Sequence, residues 1–76
     1  MKNYVEVTAV FDIDGNIIPK EVKIEGGRYE VDRVMDIRPA ASLKSGGAGI
    51  RYKCMIAGRE TYLFLEETRW FLELAQ

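Results

Sequence analysis

The residue types best suited to acid–base, nucleophilic or metal chemistry are scarce in this sequence. Histidine is absent and cysteine occurs once, as Cys54, so the chain lacks the commonest general base and the commonest metal ligand at neutral pH. One thiol without histidine cannot build a zinc site of the usual tetrahedral type. We therefore predict that the protein is not an enzyme and holds no metal or cofactor.

Two short segments resemble ligand-binding motifs. The run from Asp12 to Asn16 resembles part of a calcium loop, but its glycine is misplaced and the distal glutamate is missing, so a hairpin turn is the preferred interpretation. Residues 44–49, which contain Lys44 and three glycines, resemble a phosphate-binding loop. Because they precede a predicted strand instead of a helix, we interpret them as a hairpin tip, with anion contact through backbone amides and Lys44 as the alternative.

The single cysteine allows two interpretations. Arg51 and Lys53 are close in sequence and could lower the pKa of the Cys54 thiol, which would make it reactive. Cys54 also alternates with Tyr52 and Ile56 on one predicted strand face, where cysteine behaves as a small hydrophobic residue. A buried, structural role is the preferred interpretation.

Charge is distributed unevenly along the chain. The net charge is −1, yet residues 37–59 carry five basic side chains and no acidic one. Small barrels bind single strands on basic, aromatic-bearing faces, so weak nucleic-acid binding is one hypothesis. Neutralisation by Glu60, Glu66 and Glu67 on adjacent strands is the alternative. The candidate contacts are Arg38, Lys44, Arg51, Lys53 and Arg59.

Apolar and polar residues alternate with a period of two in the segments that must position these side chains, which is typical of half-buried strands. Six runs cover about residues 4–13, 18–25, 28–38, 50–56, 60–65 and 69–74. Short turns separate them, including Asp14-Gly15-Asn16 and Gly26-Gly27, and Pro39 is expected to end the third run. An interrupted pattern at Asp32-Arg33 predicts a β-bulge.

The last run could also be a helix, because residues 63–75 include several good helix formers. Trp70, Leu72 and Leu74 alternate, however, and aromatic residues favour strands, so we prefer a strand. Short strands without a crossover helix imply an antiparallel meander, and closure would remove exposed edges. We predict an all-β fold: a small SH3-like barrel or a strongly bent antiparallel sheet of five to six strands.

The length of 76 residues allows one domain, residues 1–76. No apolar run approaches the roughly 18 residues needed to cross a bilayer, and the first residues lead into an alternating stretch unlike a signal peptide. The lone cysteine fits a reducing compartment. We expect a cytoplasmic protein of bacterial type without membrane association.

Both faces of the fifth and sixth runs are apolar, which indicates either a double-sided core or a buried interface. We therefore predict a protein-interaction or self-assembly module, with a homodimer as the expected assembly, that uses Leu63, Leu65 or Phe71. The alternative function is the weak nucleic-acid binding described above.

Several turn and core positions resemble a known family. They are Val22, Ile24, Gly27-Arg28-Tyr29, Val31 and Val34, then Arg51-Tyr52-Lys53-Cys54, Gly58, Tyr62 and Phe64, and finally Thr68-Arg69-Trp70-Phe71-Leu72. Over about residues 10–74 the chain resembles a small bacterial domain of unknown function whose genes occur near translesion DNA polymerases of the Y family. The resemblance implies no catalytic residue, and it implies a DNA-related role through gene neighbourhood alone.

Overall fold

The computed structural model describes residues 2–41 and 48–74, in which six strands form one closed antiparallel barrel. The strands are β1 (Tyr4–Phe11), β2 (Ile17–Ile24), β3 (Gly27–Ala41), β4 (Ala48–Ile56), β5 (Arg59–Glu66) and β6 (Arg69–Leu74). Each strand pairs with the next in sequence, and β6 returns to β1. The predicted all-β, SH3-like meander is confirmed, and the last run is a strand.

Two tight turns produce the meander between β2 and β3 and between β4 and β5. Glu25 and Gly26 have φ angles of 47° and 81°, and Ala57 and Gly58 have φ angles of 50° and 75°. Two successive positive φ angles define the type I′ turn, whose twist matches that of the flanking strands. The first turn lies one residue earlier than predicted, because Gly27 already belongs to β3.

One face of each strand contributes to the barrel interior. The buried cluster consists of Val22, Tyr52, Cys54, Ile56, Leu63, Leu65 and Trp70. The rings of Tyr52 and Trp70 pack with centroids 5.2 Å apart, and the Tyr52 hydroxyl donates a 2.5 Å hydrogen bond to the carbonyl of Ile17. The Tyr52 hydroxyl therefore has a hydrogen-bond partner, as buried tyrosines usually do. Burial of each large apolar side chain in this cluster stabilises the fold by roughly 1.5–3 kcal/mol.

The longest strand, β3, is irregular. Its register with β4 shifts between Val31 and Arg33, as the sequence pattern predicts, and again between Val34 and Asp36. Pro39 does not end the strand, which continues to Ala41. Within the described residues this part of β3 pairs with β4 alone, and an edge position tolerates the missing N–H of proline.

The predicted loop over residues 40–49 is shorter than expected, because β3 and β4 both extend into it. Residues 42–47 lie outside the described part of the chain. Gly49 belongs to β4 and passes close to β5: a Cβ at this position would lie 2.3 Å from the carbonyl oxygen of Leu65. Glycine is therefore required there by the close approach of two backbones.

The first strand ends two residues earlier than the alternating pattern predicts. Phe11 and Ile13 continue the alternation of Val5, Val7 and Ala9, which pack against the core, yet they are 74% and 99% exposed. The Asp12 carboxylate accepts hydrogen bonds from the backbone amides of Asp14 and Asn16, at 2.9 and 2.8 Å. Such an aspartate-centred turn ends the strand and carries Ile13 out of the plane of the sheet.

The barrel closes between β1 and β6 through a short run of paired residues. Tyr4 is opposite Phe71 and Val5 is opposite Trp70, and the amide of Leu72 donates a 3.1 Å hydrogen bond to the carbonyl of Asn3. Beyond Val5, β1 pairs with β2 alone among the described residues. The outer side chains along this seam therefore matter to closure.

Candidate functional site

Three of the five predicted cationic contacts lie on one outer face of the barrel. Arg38 on β3 and Arg51 on β4 are directly opposite each other, and Lys53 follows two residues along β4 on the same side. Arg59 lies elsewhere, at the start of β5 and at the rim of an apolar pocket. Lys44 lies outside the described residues, so its predicted role stays a prediction.

Carboxylates neutralise two of these three cations. Arg38 Nε lies 2.6 Å from Oδ2 of Asp36, and Lys53 Nζ lies 3.9 Å from Oε1 of Glu60. The predicted neutralisation across strands therefore holds for Lys53 and Glu60. The face is less positive than the sequence segment from which it derives.

Arg51 differs from its two neighbours. Its guanidinium carbon lies 4.8 Å from the ring centroid of Tyr62, which is a cation–π contact between two half-buried side chains. No ion pair among the described residues includes Arg51, and its Nε is buried without a hydrogen-bond partner. Arg51 is therefore the cation on this face that no described carboxylate neutralises.

The predicted interface residues are buried within the single chain. Leu63 and Leu65 belong to the barrel core, at 0% and 6% exposure, and Phe71 is 2% exposed. Phe71 lies on the outer side of β6 but stacks on Phe64, with ring centroids 4.7 Å apart and an interplanar angle of 2°. These three side chains therefore form no open apolar surface on the single chain, and a double-sided core, the first alternative from the sequence, accounts for the apolar faces of β5 and β6. The homodimer itself stays a prediction.

The N-terminal residues cover Phe71. The ring of Tyr4 meets it edge-on at 6.0 Å, and Lys2 Nζ lies 5.3 Å from its centroid. The guanidinium carbon of Arg69 lies 3.5 Å from the centroid of Tyr4. Glu66 joins the group by pairing with Lys2 and by accepting a 3.0 Å hydrogen bond from the Tyr4 hydroxyl. We refer to these five residues as the N-terminal clasp.

The clasp is electrostatically coupled. The hydrogen bonds from Lys2 and Tyr4 hold the pKa of Glu66 below its ordinary value, and the hydrogen bond to Glu66 raises the pKa of Lys2. Glu66, which was predicted to neutralise the basic segment, instead pairs with Lys2. The clasp therefore closes the β1–β6 seam with side chains where the backbone register is short.

Cys54 has the structural role that the alternation predicts. The side chain is fully buried, and burial raises the pKa of the thiol to about 11. A thiol with this pKa is protonated at neutral pH and is a poor nucleophile. Within residues 2–41 and 48–74 no group of three or more carboxylate or thiol side chains is arranged to hold a metal ion.

The β1–β2 hairpin carries an exposed apolar surface that the sequence pattern does not predict. Val10, Phe11 and Ile13 are 44%, 74% and 99% exposed. We refer to residues 10–16 as the hairpin tip. Asp12 gives the tip a defined shape: besides the two amide contacts described above, its Oδ2 accepts a 3.1 Å hydrogen bond from Nδ2 of Asn16. These hydrogen bonds lower the pKa of Asp12.

An apolar cavity of about 290 Å³ opens near the β2–β3 and β4–β5 turns. We refer to it as the end pocket. It is lined by Ile24, Tyr29, Ile56, Ala57, Arg59, Thr61 and Leu72. Arg59 provides the positive charge at this pocket and takes part in no ion pair among the described residues. In the sequence Arg59 belongs to the basic segment, and no local pattern indicates that it lines a pocket.

Comparisons with protein-family models, with curated proteins and with solved structures found no match. The described part of the chain contains no helix able to cross a membrane. The fold places the chain in the class of small closed antiparallel barrels.

Proposed function

We propose that this protein is an interaction module that docks through the hairpin tip. The observation that carries the proposal is the pairing of large exposed apolar side chains, Phe11 and Ile13, with a turn fixed by Asp12. Isolated exposed apolar residues are common on protein surfaces, but three of them, Val10, Phe11 and Ile13, fall here within four consecutive residues. A rigid turn also lowers the ordering cost of binding.

The edge of β1 next to the tip supports the same proposal. From Glu6 to Phe11 the strand pairs with β2 alone among the described residues, and it contains no proline or lysine. The other long edge, on β3, carries two bulges and Pro39, which are devices that discourage strand addition. The β1 side is therefore the edge better suited to contact with a partner chain.

Site-specific crosslinking in cells that produce the protein tests this proposal. A photoreactive amino acid at position 13 should form a discrete crosslinked product, whereas the same group at Glu30, which is exposed on β3, should not. The captured partner is then purified, and its affinity for the Ile13→Asp variant should fall at least tenfold. Equal crosslinking at the two positions, or an unchanged affinity, would contradict the proposal.

Nucleic-acid binding is the second candidate function. The observation that favours it is Arg51, which stacks on Tyr62 and takes part in no ion pair among the described residues. The Asp36 and Glu60 pairs reduce the positive potential of the same face, so the expected affinity is micromolar or weaker. The resemblance to a domain encoded near DNA polymerases adds an associational argument.

Fluorescence anisotropy with a labelled single-stranded oligonucleotide tests the second candidate. Binding should weaken with salt, with a log–log slope of about −0.7 per phosphate contact, and the double variant Arg51→Ala, Lys53→Ala should reduce that slope. The matched control, Lys20→Ala with Arg28→Ala, removes the same charge from exposed positions on β2 and β3. No binding at low salt, or equal effects of the two pairs, would reject this function.

A further inference from the structure

We infer that the partner of the hairpin tip is a second copy of this chain, whose end pocket receives Ile13. This inference rests on the proposed function, since it assigns an occupant to the same docking element. It describes a head-to-tail contact in which each copy offers a tip at one place and a pocket at another.

The chemistry of the two surfaces is complementary. The tip presents a fully exposed isoleucine between two carboxylates, Asp12 and Asp14. The pocket is predominantly apolar, with Ile24, Ile56 and Leu72 in its lining, and Arg59 adds a cation that pairs with no described carboxylate. Insertion of Ile13 would bring Asp14 towards Arg59. The Asp12 carboxylate is committed to its own turn, so Asp14 is the group available for the ion pair.

The positions of tip and pocket prevent a chain from filling its own pocket. Strand β2 begins at Ile17 beside the tip and ends at Ile24 in the pocket lining. Its eight residues separate the two sites by about 25 Å at the usual strand rise. A contact between unlike surfaces uses one tip and one pocket per copy, and such heterologous contacts generate rings or open chains.

The same charges disfavour other occupants. Two carboxylates beside Ile13 are repelled by anionic membranes and by nucleic-acid backbones, whereas they match an arginine-rimmed pocket. The contact area of one turn is small compared with a standard interface of about 1,600 Å². We therefore expect weak self-association that becomes detectable at high protein concentration.

Sedimentation analysis over a concentration series tests the inference. The weight-average mass of the native chain should rise with concentration. Ile13→Asp and Arg59→Glu should each remain monomeric over the same range, and the double reversal Asp14→Arg with Arg59→Glu should restore association. Ile37→Asp is the matched control, because Ile37 is also a large exposed apolar residue, at 45%, yet lies outside both surfaces. It should associate like the native chain.

Mixing the two damaged variants gives a stricter test. Ile13→Asp retains an intact pocket and Arg59→Glu retains an intact tip, so an equimolar mixture should form dimers and nothing larger. A tip-to-tip contact would instead let Arg59→Glu associate on its own, because its tip is intact, and a pocket-to-pocket contact would do the same for Ile13→Asp. Circular dichroism of each variant should match the native β spectrum, which excludes misfolding as the cause.

The two experiments distinguish the head-to-tail contact from docking through the hairpin tip in general. A native chain that stays monomeric at all concentrations, or an Ile13→Asp variant that associates like the native chain, overturns the head-to-tail contact. If the crosslinker at position 13 then captures a different protein, the tip is a docking element and only its assigned occupant is wrong. If it captures nothing, both statements fail.

Discussion

Two phenylalanines outside the barrel core show how differently one residue type can be used in this small protein. Phe71 is 2% exposed and Phe11 is 74% exposed. Phe71 stacks on Phe64 and lies under Tyr4 and Lys2, whereas Phe11 precedes a polar turn and takes part in no aromatic or cation–π contact within the described part of the chain. Phe71 is buried because long neighbouring side chains lie over its ring while their charged or polar ends stay in water. Phe11 lacks such neighbours among the described residues, so its ring remains a candidate binding surface.

The largest expected difference is in stability. Phe71→Ala should lower the free energy of unfolding by about 3–5 kcal/mol, because it removes a buried aromatic ring and leaves a cavity. Phe11→Ala should change it by less than about 0.5 kcal/mol, as is usual for exposed positions. Urea unfolding followed by the fluorescence of Trp70, which is 8% exposed in the folded chain, measures both. Similar losses in the two variants would show that Phe11 also packs in the folded state.

A smaller effect should show that the Tyr4 ring contributes to the stability that Phe71 provides. A double-mutant cycle between Tyr4→Ala and Phe71→Ala should give a coupling energy of about 0.5–1.5 kcal/mol, the value typical of an edge-to-face aromatic pair. The control cycle pairs Phe71→Ala with Tyr29→Ala. Tyr29 is 41% exposed, close to the 37% of Tyr4, but it lies at the end pocket. The coupling in this control cycle should be near zero. Equal couplings in the two cycles would rule out a specific clasp.

The smallest effect concerns pH and the two carboxylates that support these regions. The pKa values of Glu66 in the clasp and Asp12 in the tip are both lowered, the first mainly by Lys2 and the second mainly by Asn16. Each ionised carboxylate therefore stabilises the folded state fully at a pH above its ordinary pKa, which is 4.5 for Glu66 and 3.8 for Asp12. This stabilisation is lost as the pH falls through the lowered value, because the unfolded chain binds the proton more readily.

Unfolding midpoints from neutral to acidic pH measure these contributions. Glu66→Gln and Asp12→Asn should each flatten the acid side of the stability profile. The tip variant should in addition perturb the amide resonances of Asp14 and Asn16, which donate to Asp12. Profiles that superpose on that of the native chain would mean that neither carboxylate is held in the described contacts.

The strand pattern predicted the architecture well, because alternation and turn residues are local properties. The bulge after Val31 could be read in the same way, since it interrupts the alternation. The orientation of Phe11 and Ile13 could not, because alternation continues through the turn and the hydrogen bonds of Asp12 decide where the strand ends.

Which outer side chains the chain itself covers could not be read from the sequence, for a different physical reason. An apolar outer face looks the same in sequence whether a partner or the chain itself covers it, and Lys2 and Tyr4 are more than 60 positions away from the ring that they cover. Proximity in sequence was equally misleading for Arg59. The β4–β5 turn moves it from the face of Arg51 and Lys53 to the end pocket.

The short register between β1 and β6 also determines how the barrel can open. Rupture at Tyr4 and Val5 turns the closed sheet into a curled ribbon while the ladders of β3, β4 and β5 remain intact. Local opening of this kind requires less free energy than global unfolding. In deuterated solvent, the amide of Leu72, which bonds to Asn3 across the seam, should therefore exchange well before the amides of the β4–β5 ladder.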